Sequence, residues 1–277
     1  MLTLEAVSYR YAGATKASLR EVSVTLSDGE VLGVVGRSEA GKSTLCLVAS
    51  GLAPRALGGT LSGRLLIDGE DAAGRPMHEM ASEVAIGFQN PGTQLSGVAT
   101  TVFEEIAFGP MNLGVARDDV LRRTESSIDA LAIRTLSDRD PDRLSGGQQQ
   151  LVAIAGLLAL APRHLILDEP TAQLDPAGTR LVSDAIGRLA AGGASIRIVE
   201  QKVDLLAGIC HRVLALDEGH VALEGPAEYV LADPALHALG VAETSPVRLR
   251  RLAGEGRIAA AIVERALAGV SRAAADA

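Results

Sequence analysis

Val31-Leu-Gly-Val-Val35 is an unbroken apolar run, and a glycine loop follows it at once: Gly36, Arg37, Ser38, Glu39, Ala40, Gly41, Lys42, Ser43, Thr44. Residues 44–50 are then apolar enough to suit a helix. A buried parallel strand, a loop of the form G-x-x-x-x-G-K-[ST] and a helix together make a phosphate-binding turn. Glycines let backbone N–H groups close round phosphate oxygens. The helix N-terminus adds the positive end of its dipole. Lys42 offers a cation to the β- and γ-phosphates, and Ser43 a hydroxyl to Mg2+. ATP and Mg2+ are the expected ligands. Glu39 is out of place in such a cradle, because a carboxylate there repels the nucleotide unless it points outward, to solvent or to a partner subunit.

That loop needs a sheet. Leu2, Leu4 and Val7 read as a strand, a loop follows at Tyr11–Ala17, and Val22–Leu26 alternates as a half-buried strand does. Further strands are predicted at Leu65–Ile67, Leu165–Leu167 and Ser195–Val199, with helices at about 147–160 and at 176–191. Residues 78–145 read as mainly helical, with loops at 90–97 and 109–114. Strands alternating with helices predict an α/β fold with a mostly parallel sheet. The divisions expected are 1–239, containing a helical subdomain at about 90–160, and an Ala- and Arg-rich helical extension at 240–277.

Composition narrows the function. At 47% hydrophobic, a chain of 277 residues buries a sizeable core, which excludes disorder as its main state. Acidic residues outnumber basic ones 34 to 26, and there is no Trp with only three Phe and three Tyr. A nucleic-acid partner wants a basic face or aromatic stacking platforms, so none is expected. The longest apolar run, Leu151–Ala161, falls well short of the roughly 20 residues of a membrane span. The opening MLTLEAVSYR does not read as a signal peptide. Cys46 and Cys210 have no metal-ligand spacing and are expected to be free thiols.

Two more motifs carry chemistry. Leu165-Ile-Leu-Asp168-Glu169 sets two carboxylates at the C-terminal end of a strand, the edge where open α/β sheets bind ligands. Asp168 suits Mg2+, and Glu169 suits polarising an attacking water. Leu144-Ser145-Gly146-Gly147-Gln148 stands directly before an apolar helix, and small residues at a helix N-terminus again favour an anion.

With this set in place, the chain resembles an ABC-type ATPase, of the P-loop NTPase class, over roughly residues 1–235. The resemblance implies a head-to-tail dimer with two shared ATP sites. Ser145, Gly146, Gly147 and Gln148 would then meet the γ-phosphate held by a second ATPase subunit. Tyr11 matches the aromatic that stacks on adenine, with Tyr9 close enough to compete. Gln89 matches the glutamine that senses Mg2+ and the transporter, and Asp175 the aspartate of the loop after the carboxylate pair. A narrower resemblance lies in Gly87-Phe-Gln-Asn-Pro91, Gln94-Leu95 and the run Thr101-Val-Phe-Glu-Glu-Ile-Ala-Phe-Gly-Pro-Met-Asn-Leu-Gly114. It is similar to the ATPase component of energy-coupling-factor transporters, which import vitamins and metal ions. That implies a membrane T component, a substrate-binding S component, and a place on the cytoplasmic face of the cell membrane.

Some residues depart from the family pattern. Gln201, in Ile198-Val-Glu-Gln201-Lys-Val-Asp204, stands where a histidine is expected. An amide donates a hydrogen bond but carries no charge. His211, ten residues on, reads as a helix-end or surface histidine. Leu151 replaces a common Arg, and Gly92-Thr93 replace a common Asp-Asp. With Glu39, these departures raise the alternative of one half of a heterodimer with unequal ATP sites.

Overall fold

The computed structural model describes residues 1–259 and 261–267. Its strands are β1 (Leu2–Arg10), β2 (Leu19–Leu26), β3 (Val31–Val35), β4 (Thr60–Ile67), β5 (Glu70–Asp71), β6 (Val84–Gly87), β7 (His164–Asp168), β8 (Ser195–Val199), β9 (Arg212–Asp217) and β10 (His220–Pro226). The helices are α1 (Lys42–Ala49), α2 (Leu52–Arg55), α3 (Met77–Glu83), α4 (Val102–Asn112), α5 (Arg117–Leu131), α6 (Gly146–Ala159), α7 (Pro176–Ala191), α8 (Val203–Ile209), α9 (Ala227–Val230), α10 (Pro234–Ala238) and α11 (Ser245–Gly254).

The larger sheet has six strands in the order β10-β9-β3-β8-β7-β6. Its five strands from β9 to β6 run parallel, and β10 turns back antiparallel to β9. Side chains alternate across it. Leu32 and Val34 of β3 face α1 and the apolar side of a second sheet, together with Leu45, Cys46 and Val48. Val31 and Val35 face the other way, into a core built with α6 and α7. Burial on both faces explains why β3 reads as a continuous apolar run. Every described residue from Val31 to Val35 is buried.

The sequence expectations need four corrections. The first strands do not join the parallel sheet; they form a separate antiparallel one, β2-β1-β4-β5. Val84–Gly87, read as part of a helical stretch, is strand β6. Four residues are too few to show a period, and the strand state comes from parallel pairing with β7, from Val84 opposite His164 to Gly87 opposite Leu167. Of the loop expected at 109–114, residues 109–112 are the last turn of α4, which keeps Pro110 inside it, and Leu113 and Gly114 form the turn that follows. Gly109 permits this by close packing, since a Cβ there would lie 2.9 Å from Leu160 Cδ2. The β9–β10 hairpin had no counterpart in the sequence reading. Of the helical extension, α11 and a helical stretch over 261–267 are described; residues 260 and 268–277 lie outside the described residues.

One buried charge stands out. Arg197 of β8 is fully buried, and its Nε, Nη1 and Nη2 have no hydrogen-bond partner. Burial pulls its pKa down, with Cys46 and Glu30 opposing and Arg212 adding to the drop.

Candidate nucleotide site

The ends of β3, β7 and β8 come together at one edge of the larger sheet. An open cleft of about 400 Å3 lies there, lined by residues of the phosphate loop from Ser38 to Thr44, by Glu169 and Gln201, and by Ser18. The loop's shape follows from its glycines. Gly36 has φ 148° and a Cβ there would sit 2.4 Å from the Leu216 carbonyl oxygen; at Gly41, with φ 105°, it would sit 2.5 Å from that of Ser18. Neither position admits a side chain. Glu39 also holds a left-handed backbone, φ 65°, a conformation that costs a non-glycine residue about 1 kcal/mol or more. Its side chain is exposed. Ala40 is buried and its carbonyl accepts from Gly219 N at 3.0 Å. Arg37 points away from the cleft lining, paired with Asp217 at 3.1 Å and Glu218 at 2.7 Å. The β9–β10 turn therefore braces the loop from outside.

Lys42 is 6% exposed and its Nζ donates to the carbonyls of Gly36 and Arg37, both at 2.9 Å. Burial lowers its pKa, while Glu169 and Asp168 oppose that by their charge. Asp168 is pushed the other way. Burial raises its carboxyl, the Ser43 hydroxyl bonded to it and Lys42 pull down, and Glu169 pushes up. Its Oδ1 is buried and has no partner. An orphaned carboxylate oxygen beside a serine hydroxyl fits Mg2+, which usually takes one or two protein side chains plus substrate phosphates. Ser43 and Asp168 are the residues that would hold it.

Glu169 itself has φ 50°, and its N–H donates to the Val199 carbonyl at 2.9 Å, so the end of β7 is tied to that of β8. Gln201 Nε2 donates to Glu169 Oε1 at 2.8 Å. The residue in the histidine's place thus contacts the carboxylate directly. His211 does not line the cleft; its Nδ1 accepts from Val31 N.

Of the two tyrosines, Tyr9 is fully buried and its hydroxyl donates to the Gly58 carbonyl at 2.7 Å, which removes it as a stacking surface. Tyr11 is half-buried and its hydroxyl lies 3.2 Å from Thr44 Oγ1, at the loop's end. Gln89 is exposed, two residues past the Gly87–Leu167 pair that ends the β6–β7 ladder, and it is not among the residues that line the cleft. Gln94 fixes that turn, accepting from Phe88 N at 2.7 Å and donating to the Ile86 carbonyl at 3.1 Å.

The signature residues are not in this cleft. Ser145 caps α6 and exchanges hydrogen bonds with Gln148, from Ser145 N to Oε1 at 3.1 Å and from Gln148 N to Oγ at 3.4 Å. Gly146 opens the first turn of α6. A Cβ on Gly147 would lie 2.7 Å from Gly178 Cα. Gly178 is held in turn by Asp175, which caps α7 by accepting from Gly178 N at 2.6 Å. The sequence gives no role to Ser18, Glu200, Lys202 or Gly219, and marks Gln94 only as part of the run similar to energy-coupling-factor ATPases. Of the other four, only Gly219 leaves a signal, as a Glu-Gly turn between apolar runs.

Comparison with known proteins agrees with this geometry. Residues 19–172 match the ABC transporter family. The chain is 38% identical over 255 residues to the energy-coupling factor transporter ATP-binding protein EcfA2 of Symbiobacterium thermophilum, covering 90% of this chain and 86% of that protein. It is 39% identical over 244 residues to the cobalt import ATP-binding protein CbiO of Rhodobacter capsulatus, covering 87% and 84%. The solved structure of cbiO1 from Clostridium perfringens, part of the ABC transporter complex cbiONQ, superposes with a TM-score of 0.75 at 29% identity, covering 91% of this chain and 94% of that one. Against two Methanosarcina relatives the chain spans only 43% and 41% of their length. Among the described residues no helix is long and apolar enough to cross a membrane. The chain belongs to the ABC transporter family, as an ATP-hydrolysing, ATP-binding subunit.

Proposed function

We propose that this chain powers an energy-coupling-factor type importer of a vitamin or metal ion. It would sit on the cytoplasmic face of the membrane with a second ATPase subunit, a T component and an S component. The observation that carries the reading is an apolar groove of about 770 Å3 over α4 and α5, which includes Phe103, Phe108, Met111 and Leu121. Met111 is 63% exposed and Val98, at the groove's rim, 70%. Contiguous apolar surface of this kind marks an interaction site. One wall of the groove, Phe103, Glu104, Ala107, Phe108 and Met111, comes from the same 101–114 run that resembles energy-coupling-factor ATPases. The relatives named for energy coupling and cobalt import support the same reading.

In the cleft, Lys42 would exchange the carbonyls of Gly36 and Arg37 for phosphate oxygens. Ser43 and Asp168 would hold Mg2+ and Gln89 would sense it; the ion, when bound, would supply charge neutralisation at the phosphates. Glu169 would orient the attacking water and take its proton. Gln201, donating to Oε1, fixes Glu169 without changing charge over the working pH range. Tyr11 would stack on adenine, and Asp175 and residues 145–148 would complete the partner's site.

The test is to purify the tagged chain from its own membranes in mild detergent and identify what comes with it. Two membrane proteins and an ATPase pair are expected. The chain alone, in a preparation where a known transporter stays intact, contradicts the reading. The hydrogen bond that holds Glu169, together with Glu39, supports a second reading, a slow half-site beside a faster partner. In that case a second, distinct ATPase co-purifies.

A further inference from the structure

We propose that Glu200, with Lys202, is a positioning residue that holds Gln201 against Glu169; this rests on reading Glu169 as the water-orienting carboxylate. Glu200 is 2% exposed, yet its carboxylate is well supplied with donors. Oε2 accepts from Thr171 Oγ1 at 2.6 Å, and Oε1 accepts from Gln201 N at 2.9 Å and Lys202 N at 3.2 Å. A buried carboxylate is tolerated when it is fully bonded, and charge-assisted bonds of this kind are the strong ones. The bonds join two separate segments. Thr171 lies just past β7 and Glu169, while Gln201 and Lys202 lie just past β8.

Lys202 closes the ring. Its Nζ donates to the Thr171 carbonyl at 2.9 Å and to Thr179 Oγ1 at 2.8 Å. Thr179 is in the first turn of α7, next to Gly178, which meets Gly147 of the signature helix backbone to backbone. Gln201 is exposed and would be free to turn about three torsions. With its backbone N–H tied to Glu200 and the next residue strapped to Thr171, only the side chain is left to order. The 2.8 Å bond to Glu169 is then geometrically prepaid. The same strap ties this cleft to the chain's own signature face.

The experiment is a double-mutant cycle on the chain in the complex it purifies with, using wild type, Glu200→Gln, Gln201→Ala and the double variant. Single-turnover hydrolysis at saturating ATP and Mg2+, ATP affinity and the thermal midpoint are read for each. An amide keeps the volume of Glu200 but offers one acceptor oxygen where the carboxylate offers two. Glu200→Gln should slow hydrolysis by about fivefold or more with ATP affinity within about twofold, and should add less than about twofold on the Gln201→Ala background. Effects that multiply, or a loss of ATP affinity with an unchanged rate, overturn the proposal. Lys202→Met is surface-exposed and guards against misfolding of the buried variant. It should slow hydrolysis in the same pattern, and an unchanged rate overturns the proposal as well. A wild-type rate unaffected by Glu169→Gln sinks the functional reading instead.

Discussion

The phosphate loop and the signature loop are both small-residue turns at helix N-termini, and they use them in opposite ways. Gly41 and Lys42 open α1 inside a cleft, and the Nζ of Lys42 is held only by carbonyls that a phosphate can replace. Ser145 and Gln148 open α6 on the surface, and their polar atoms cap one another. One loop is a prepared pocket, and the other is a prepared surface. A single chain thus carries two unlike anion-favouring loops that do not share a cleft, which fits the proposal that each completes its site with the other loop of a second subunit.

Glu169→Gln should have the largest effect, lowering hydrolysis by roughly 10²–10⁴-fold while ATP still binds, as expected for loss of a general base. An unchanged steady-state rate removes Glu169 from the pocket side of the comparison. Lys42→Ala should weaken ATP binding by about tenfold or more in calorimetry, since a hydrogen bond to a charged group is worth roughly 1.5–3 kcal/mol. Equal affinity for both proteins breaks the account of the loop.

The supports under the two loops can be separated too. Arg197 lies close to Cys46 of α1 with no partner for its guanidinium. Arg197→Met should stabilise the chain by about 1–3 kcal/mol in denaturant unfolding, because an unpaired buried charge is costly. Under the signature, Gly147→Ala forces a Cβ to 2.7 Å from Gly178 Cα and should cost at least about 1 kcal/mol. Gly146→Ala, 3.4 Å from Leu174 Cδ2, should be close to neutral. Equal costs would show that the Gly147–Gly178 contact is not what seats the helix.

The smallest effect concerns pH. The Asp168 carboxyl is raised by burial, so in the free chain more of it is protonated at mildly acidic pH than of an ordinary aspartate. Its folded form binds more protons than its unfolded form, so stability falls as pH rises through the window between the ordinary and raised values. Asp168→Asn should flatten that slope in thermal melts. On the proposal that Asp168 holds Mg2+, the ion would have to displace the proton, and half-saturating Mg2+ should rise as pH falls through the same window.

Much of this was legible in the residues. The 31–44 segment has strand, loop and helix fixed by local chemistry, and Pro176–Ala191 and Ser195–Val199 coincide with α7 and β8. What escaped depends on partners distant in sequence. Val84–Gly87 becomes a strand only because β7 lies alongside it, and Gly109 sits inside α4 where Leu160 comes too close to leave room for a Cβ. In the site, the sequence favours Tyr11 with Tyr9 close enough to compete, and burial removes Tyr9 from the contest. Gln201 was visible as a departure, but its bond to Glu169 and its support by Glu200 and Lys202 arise from two strand ends 32 residues apart.

Mixing two defective chains tests the central claim most directly. One carries Lys42→Ala, with a damaged pocket and an intact signature surface; the other carries Ser145→Arg, with the reverse. Each alone should hydrolyse ATP poorly, and the mixture should regain activity, because one intact pocket then meets one intact surface. Full activity from the Ser145→Arg chain alone, at the mass of a single chain, would contradict the account.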